Sequence, residues 1–288
     1  MRRIRTNPPI RPFGPTVQWL SHAIWDAAQV PDAERLSELV HDLLARRAAS
    51  ADAAQPLLVH RDETAGTRVE LSGASLTNTV AKASALFEED AGGTLALAIP
   101  PHWIGAALTL AGWHAGLLVG INDPAAGDGY AQAAEIGVVG PHVPTVRGGE
   151  TAYVSRLHPF GLPFDADVVL PDNVSDLAPE LRSGPDRLGP PSDDHQADHS
   201  LRQDAVTYGE AEVIETARRF AGELESGSTL LSTLPFHDLR GLLAVTLVPL
   251  ITGGSTVLVT GSLEPEQVAR IAGVERASAT WDGRTSSG

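Results

Sequence analysis

The chain alternates between short runs of apolar residues and longer stretches in which apolar residues recur at a helical period. Leucine and valine recur at this period between residues 32 and 47, which predicts an amphipathic helix. Two short strand-like runs at 57–60 and 67–71 flank a polar, glycine-containing turn. This pattern predicts a β-hairpin. Ser72 or Ser75 is then expected to cap a helix that follows the hairpin.

The next segments repeat the order of strand and helix. A buried strand is predicted at 94–99, a helix at 101–116 and another strand at 117–121, with shorter strands at 135–140 and 151–157. Further along, predicted helices at 209–224, 238–250 and 264–271 alternate with predicted strands at 229–232, 256–259 and 277–281. Alternating strands and helices favour parallel sheets covered on both faces. The predicted fold is therefore α/β, with two parallel-sheet units in a layered arrangement.

The same pattern divides the chain into four predicted segments. Residues 1–33 form a basic, proline-rich extension with a short helix. Residues 34–182 form a first α/β unit, and residues 204–288 form a second, truncated unit. Between the two units, residues 183–203 are rich in proline, glycine and acidic side chains without apolar periodicity, which is typical of a surface linker.

Composition narrows the class of protein. The 288 residues are 42% hydrophobic and 20% charged, and the mean hydropathy is −0.04; these values are typical of a soluble globular protein. The longest apolar stretches are too short or too interrupted to span a bilayer comfortably. Cysteine is absent, which excludes disulfides, thiolate-bound metals and a thiol nucleophile, and favours a cytoplasmic location.

Charge excludes two kinds of partner. The formal net charge is −15, and acidic residues are concentrated between residues 165 and 215. An acidic surface of this kind repels nucleic acid and anionic lipid, so neither is expected to bind. Almost all basic residues are arginine, and Lys82 is the only lysine in the sequence.

Residues 230–259 contain the most informative motif. A strand-like run leads into Thr233-Leu234-Pro235-Phe236-His237, which is followed by an apolar helical run, Gly253-Gly254 and a β-branched strand. This order resembles the superfamily of acyl-CoA synthetases, peptide-synthetase adenylation domains and luciferases. Residues 36–281 resemble more closely still a small actinobacterial family that is distantly related to AMP-dependent synthetases and ligases. The resemblance implies a truncated N-terminal domain of the adenylate-forming type.

The resemblance also implies candidate ligand-binding residues. In the superfamily an aromatic–histidine pair after this strand lines the acyl pocket, which points to Thr233, Phe236 and His237, with Gly241 allowing close approach. In a second interpretation, Phe236 and His237 simply begin a helix that packs on the sheet. We favour the second interpretation, since histidines with apolar neighbours more often have a structural role than a ligand-binding one.

The sequence departs from the superfamily pattern where phosphate chemistry is expected. The resemblance implies a Ser/Thr/Gly-rich loop ending in Pro-Lys-Gly ahead of the helix near Gly209, because such a loop holds phosphates. Residues 199–208 contain neither glycine nor lysine, and they include Asp204. The magnesium-binding Tyr-Gly-x-Thr-Glu segment and the domain with the catalytic lysine are also not found, and Lys82 matches neither superfamily lysine. We therefore expect no cofactor and assign no catalytic residue.

The linker holds a separate group of histidines and carboxylates. His195 and His199 are four residues apart and would share one face of a helix, a spacing that can bind a divalent metal. The preceding Pro190-Pro191 and the low apolar content favour a solvated loop instead. We expect no functional metal site here.

Three functions remain open from the sequence. The first is a degenerate, non-catalytic relative of AMP-dependent synthetases, a pseudoenzyme that binds a protein partner or a small carboxylate or thioester ligand. The second is an adenylating or thioester-handling enzyme completed by a partner chain, for which ATP, AMP or CoA would be the cofactor. The third is a structural or assembly protein, such as a homodimer, that associates through an exposed edge strand near 277–281.

Overall fold

The computed structural model of the chain describes residues 35–90, 93–123, 134–141, 151–192, 200–203 and 206–283. The predicted extension 1–33 and its helix lie outside these residues. Among the described helices, none combines the length and the hydrophobicity that a membrane span requires.

Helices and strands alternate along most of the described chain. The helices are α1 (Leu36–Ala49), α2 (Gly73–Glu89), α3 (Trp103–His114), α4 (Leu177–Ser183), α5 (Glu210–Ala221), α6 (Leu239–Val245), α7 (Leu247–Thr252) and α8 (Pro265–Glu275). The strands are β1 (Pro56–Asp62), β2 (Thr67–Ser72), β3 (Thr94–Ala98), β4 (Leu118–Ile121), β5 (Ile136–Val139), β6 (Thr151–Val154), β7 (Ser175–Asp176), β8 (Leu201–Gln203), β9 (Val206–Tyr208), β10 (Thr229–Ser232), β11 (Ser255–Thr260) and β12 (Ala279–Trp281).

The strands form two sheets. A five-stranded sheet has the order β12-β10-β11-β1-β2, and a seven-stranded sheet has the order β7-β6-β5-β3-β4-β8-β9. Neighbouring strands are parallel except in the β1–β2 and β8–β9 pairs, which are antiparallel hairpins at one edge of each sheet. The predicted α/β fold with two parallel sheets is therefore confirmed, with one antiparallel strand added to each sheet.

The sheets do not follow the predicted division of the chain at residues 182 and 203. Strand β1 pairs in parallel with β11, in a register that runs from Leu58 opposite Thr256 to Asp62 opposite Thr260. The N-terminal hairpin therefore completes the sheet of the C-terminal strands. Strand β8 lies within the predicted linker and pairs with β4. Local periodicity identifies a strand, but it does not identify a partner about 200 residues away in sequence.

Helix α3 is enclosed by the rest of the protein. Every residue from Trp103 to His114 is buried, and one hydrophobic core joins α3 to α1, α2, α5, α6, α7 and the inner faces of both sheets. Helix α8 covers the outer face of the five-stranded sheet, where Val268 and Ile271 belong to one hydrophobic cluster with Val257. Segment 164–174 packs against the outer face of the seven-stranded sheet. The layers are thus α8, the five-stranded sheet, the central helices, the seven-stranded sheet and segment 164–174.

The predicted helix 238–250 is two helices, α6 and α7. The backbone at Thr246 leaves the helical region, with φ −114° and ψ −90°. Pro249 explains the break, because proline has no N–H to donate to a carbonyl one turn earlier and its ring clashes with that carbonyl. The Thr246 hydroxyl donates to the Leu242 carbonyl at 2.8 Å, which satisfies one of the backbone groups at the end of α6.

A single carboxylate joins α8 to the β1–β2 hairpin. Glu275, the last residue of α8, accepts hydrogen bonds from Arg61 Nη1 at 2.8 Å and from Arg68 Nη2 at 2.9 Å. The hydrogen bonds from Arg68 and Arg61 lower the pKa of Glu275 to about 2. The Glu275 side chain is only 7% exposed, so solvent screens these ion pairs less than it screens a surface pair.

We expect Glu275→Gln to reduce the free energy of unfolding at pH 7 by about 2 kcal/mol, because two arginines lose a shared counter-charge. The pKa of Glu275 is lower in the folded than in the unfolded chain. Its stabilising effect is therefore complete above about pH 4.5 and is lost as the pH falls towards 2. Urea unfolding measured between pH 7 and pH 3 tests this.

The control for this experiment is Glu215→Gln, which changes an exposed carboxylate on α5. It should leave the unfolding free energy within about 0.5 kcal/mol of the wild-type value. Equal effects of the two variants, or an unchanged pH dependence in Glu275→Gln, would contradict the assigned role of Glu275.

Candidate functional site

A cleft of about 820 Å³ lies where the two sheets meet. Its walls come from residues at or just after the carboxyl ends of β1, β10, β11 and β12 in one sheet and of β3, β5 and β6 in the other. Parallel α/β sheets commonly bind ligands outside the carboxyl ends of their strands. The cleft is therefore the main candidate site of the described chain.

Two histidines from opposite sides of this cleft meet in it. His60 lies on β1, and His102 precedes α3 on the other side. Their ring centroids are 4.6 Å apart, with the rings at 74° to each other. The residues are only 4% and 6% exposed, although both line the cleft.

His102 is held by the backbone on both sides of its ring. Its Nδ1 accepts a hydrogen bond from the Ile104 N–H at 3.2 Å, which caps the first turn of α3. The ring also hydrogen-bonds the backbone of Leu157. Since Nδ1 is an acceptor, the imidazole carries its proton on Nε2. His102 thus fixes the start of a buried helix as well as one wall of the cleft.

His60 is linked to the neighbouring strand. Its Nε2 lies 3.3 Å from the Thr260 hydroxyl, and that hydroxyl donates to the Arg61 carbonyl. Because the Thr260 proton is used in this way, its oxygen accepts from His60 Nε2–H. The Nδ1 of His60 is therefore the unprotonated nitrogen.

Burial keeps both imidazoles neutral near pH 7. Desolvation lowers the pKa of His60 to about 4, an effect that Asp62 partly opposes. Desolvation and the neighbouring His60 lower the pKa of His102 to about 3. A neutral imidazole has one N–H donor and one nitrogen acceptor. A ligand can use only those ring nitrogens that are not already hydrogen-bonded within the protein.

The remaining cleft lining combines apolar walls with a few polar groups. Pro100, Pro101 and Leu157 are on the side of the seven-stranded sheet, and Thr233 contributes a hydroxyl from the other side.

Arg156 also lines the cleft, where its Nη1 donates to the Pro163 carbonyl at 3.0 Å and to Asp165 at 2.9 Å. Among the described residues, no group of three or more His, Cys, Asp or Glu side chains is placed to hold a metal ion.

The residues predicted from the motif lie in different environments. Thr233 lines the cleft. Phe236 is buried against α3, where a Cβ on Gly105 would lie 3.0 Å from its ring, and its carbonyl accepts from Gln203 Nε2 at 2.7 Å. His237 is exposed and does not line the cleft. A Cβ on Gly241 would lie 2.2 Å from the Pro235 carbonyl oxygen, so this glycine permits a contact within the backbone.

Other predicted features can be placed only in part. His195 and His199 lie outside the described residues. In the interval 199–208, the described residues form the hairpin β8–β9. Lys82 binds the Gly184 carbonyl at 3.0 Å and Asp186 at 2.7 Å.

Sequence reasoning missed the two cleft histidines. His60 was predicted only as part of the strand 57–60, and His102 only as part of the helix 101–116. A usable signal was present. Each histidine lies near or just after the carboxyl end of an apolar run predicted as a strand, and ligands commonly bind at the carboxyl ends of parallel strands. That the two rings meet depends on the packing of one sheet against the other.

Comparisons with known proteins agree with this architecture. No family model matches the chain. It is 31% identical over 145 residues to a TIGR03089 family protein of Mycobacterium tuberculosis, an overlap of 49% of this chain and 58% of that protein. Its fold is similar to that of an acyl-CoA synthetase from Brucella canis, with a TM-score of 0.67 and 15% identity. It is also similar to the N-terminal domain of FACL13 from Mycobacterium tuberculosis, with a TM-score of 0.60 and 13% identity.

These comparisons establish the fold of the chain as that of acyl-CoA synthetase N-terminal domains, as the motif predicted. Both structural matches cover 84% of this chain. The chain spans 46% of the Brucella protein, 62% of the FACL13 domain and 58% of the curated relative.

The contact between Gly241 and Pro235 predicts an unusual effect of alanine in a helix. Gly241→Ala should lower the free energy of unfolding by about 3 kcal/mol, because its methyl group would overlap the Pro235 carbonyl. Gly273→Ala in α8 is the matched control, since its Cβ would meet no atom within 4 Å. There, alanine should stabilise by up to about 1 kcal/mol. Urea unfolding of both variants tests this, and a neutral or stabilising Gly241→Ala would contradict the packing described.

The two cleft histidines should titrate far below the usual range. Nuclear magnetic resonance should show midpoints of about 4 for His60 and about 3 for His102. Protonation then favours the unfolded chain, so the unfolding free energy should be highest above pH 6.5 and fall as the pH decreases towards 4. His60→Gln should reduce this pH dependence. A midpoint near 6.5 for His60 would exclude the buried, neutral state.

Proposed function

We propose that this chain is a degenerate, non-catalytic relative of AMP-dependent synthetases and ligases that binds a small carboxylic acid or acyl thioester in the cleft between its sheets. We also propose that it belongs to the small actinobacterial family that its sequence resembles. The similarity to a mycobacterial protein over 145 residues supports this assignment.

The position of the cleft carries the proposal. It is formed by the carboxyl ends of strands from both sheets, where α/β proteins place their ligand sites. Its volume of about 820 Å³ lies within the range of small-molecule sites, roughly 300–1,000 Å³. Because α3 and both sheets share one core, the cleft is preformed, and a ligand would not have to order it.

The lining supports a ligand with an apolar body and a polar head. Pro100, Pro101 and Leu157 supply apolar contacts, while Thr233 and Arg156 supply hydrogen-bond donors. A carboxylate or a thioester carbonyl accepts hydrogen bonds from such donors. Asp62 and Asp282 also line the cleft, and they disfavour a ligand with several negative charges at that end.

Residues 199–208, which precede α5, support the proposal that the chain does not carry out ATP-dependent ligation. A phosphate-binding loop needs glycines that let backbone N–H groups surround an anion, and a lysine that reaches it. Residues 199–208 contain neither. Strands β8 and β9 pair with each other here, and Gln203 donates to the Phe236 carbonyl. The described residues of this interval thus already use side-chain and backbone groups within the protein, and we expect no nucleotide cofactor.

One observation favours a second candidate function. Strand β12 is an edge of the five-stranded sheet, and among the described residues it pairs only with β10. An edge strand can bind a strand of another chain. The alternative is therefore an assembly protein that associates through β12, as a homodimer or with a protein partner.

Thermal unfolding with ligands tests the cleft proposal. Acyl-CoAs or carboxylic acids should raise the melting temperature by several degrees at about 100 times the dissociation constant, equivalent to about 2.7 kcal/mol, whereas Mg-ATP, AMP and free CoA should not. Thr233→Phe, which places a ring in the cleft, should abolish the shift that acyl-CoAs cause. The control Thr207→Phe, on edge strand β9 and outside the cleft lining, should retain it.

Other outcomes would redirect the assignment. A shift with ATP or AMP, together with ATP–pyrophosphate exchange, would overturn the non-catalytic proposal and favour an adenylating enzyme. Absence of any ligand effect, together with a stable dimer in sedimentation, would favour the assembly role.

A further inference from the structure

A second, smaller cavity lies next to the cleft. It has a volume of about 160 Å³, and His102 and Leu157 line both cavities, so these two residues form the wall between them. The remaining lining comes from α2, the first turn of α3, α4 and segment 155–162. We name it the Trp103 pocket, after the indole that forms one wall.

The Trp103 pocket is mainly apolar. Trp103, Leu177 and Leu181 are buried side chains in its lining. Phe160 and Leu162 also belong to the lining, yet they are 73% and 49% exposed. Apolar cavities of about 150 Å³ hold a benzene ring. The pocket therefore accepts one aromatic ring or a short aliphatic chain, which would cover part of these exposed side chains.

The charges at the pocket are unlike those of the whole chain. Lys82 and Arg182 both line it, and no Asp or Glu is among its described lining residues, although the net charge of the protein is −15. The Lys82 ammonium already binds the Gly184 carbonyl and the exposed carboxylate of Asp186. Arg182 is exposed, which makes its guanidinium the cation that can turn towards a ligand. One negative charge is thus favoured at the rim.

The segment that covers the pocket is held in place by hydrogen bonds. Trp103 Nε1 donates to the Pro159 carbonyl at 3.0 Å. The Phe160 N–H donates to His158 Nδ1 at 3.1 Å, and the Leu157 N–H donates to the Ser155 hydroxyl at 3.2 Å. A ligand would therefore enter a formed pocket and lose little binding free energy to ordering it.

We propose that the Trp103 pocket is a second ligand site, which binds a monocarboxylate with one aromatic ring or an aliphatic chain of about six carbons. The apolar part of the ligand lies against Trp103, Leu177 and Leu181. The carboxylate faces Arg182 at the rim. This site is separate from the cleft and does not depend on what the cleft binds.

Calorimetric titration with benzoate and hexanoate tests the proposal. Wild-type protein should bind both acids more tightly than the neutral amides benzamide and hexanamide. Arg182→Gln should weaken benzoate binding about fivefold and leave benzamide binding unchanged, the effect expected for one exposed ion pair. Arg187→Gln removes an exposed arginine that does not line the pocket, and it should bind benzoate like the wild type.

Two further variants locate the bound acid. Ala178→Phe, which fills the pocket from α4, should weaken benzoate binding at least tenfold, whereas Thr233→Phe in the cleft should not change it. If Ala178→Phe does not fold, benzoate should still shift the indole N–H resonance of Trp103 in the wild-type protein. The proposal is overturned if benzoate does not bind, if Arg182→Gln weakens the amide equally, or if Thr233→Phe alone abolishes binding. The last outcome would place the acid in the cleft and support the cleft proposal instead.

Discussion

The burial of helix α3 on every side is the constraint on which the rest of the structure depends. An apolar helix without a polar face is stable in water only when other elements surround it. Here both sheets and the other central helices do so. Strand β3 comes just before α3 in the chain, and β1 of the other sheet packs against α3. The burial of α3 therefore brings the carboxyl ends of strands from both sheets together. The cleft, with His60 and His102 in its walls, follows from the enclosure of this helix.

The pairing of the N-terminal hairpin with the C-terminal strands builds one sheet from both ends of the described chain. Strand β1 lies between β2 and β11, so the five-stranded sheet cannot be completed without residues from the beginning of the described chain. Glu275 reinforces this connection through Arg61 and Arg68. Long-range pairing of this kind costs loop-closure entropy, which grows only slowly with loop length, and the shared core offsets it. The cleft walls are thus fixed relative to each other although they come from distant parts of the sequence.

The sequence predicted elements better than it predicted their partners. Strand β10 was predicted at 229–232 and observed as Thr229–Ser232, because a short apolar run determines a strand locally. The pairing of β1 with β11 and the presence of β8 in the predicted linker depend on tertiary contacts that periodicity does not contain. For the candidate site too, the sequence indicates single residues but not the contacts between distant ones. Of the motif residues, Thr233 lines the cleft, whereas His60 and His102 could not be identified as a pair, because each has its environment only when the sheets meet.

The wall between the two cavities illustrates how structural and ligand-facing roles coincide in one residue. His102 cannot swing aside without removing the acceptor for the Ile104 N–H at the start of a buried helix, and an unsatisfied buried donor costs about 1–3 kcal/mol. Leu157 lies opposite with a positive φ of 55°, a conformation that is unfavourable for a branched side chain and persists only where neighbouring contacts impose it. Its N–H bond to Ser155 and its backbone bond with His102 are such contacts. The wall is therefore held from both sides, which keeps the cleft and the Trp103 pocket separate in this structure.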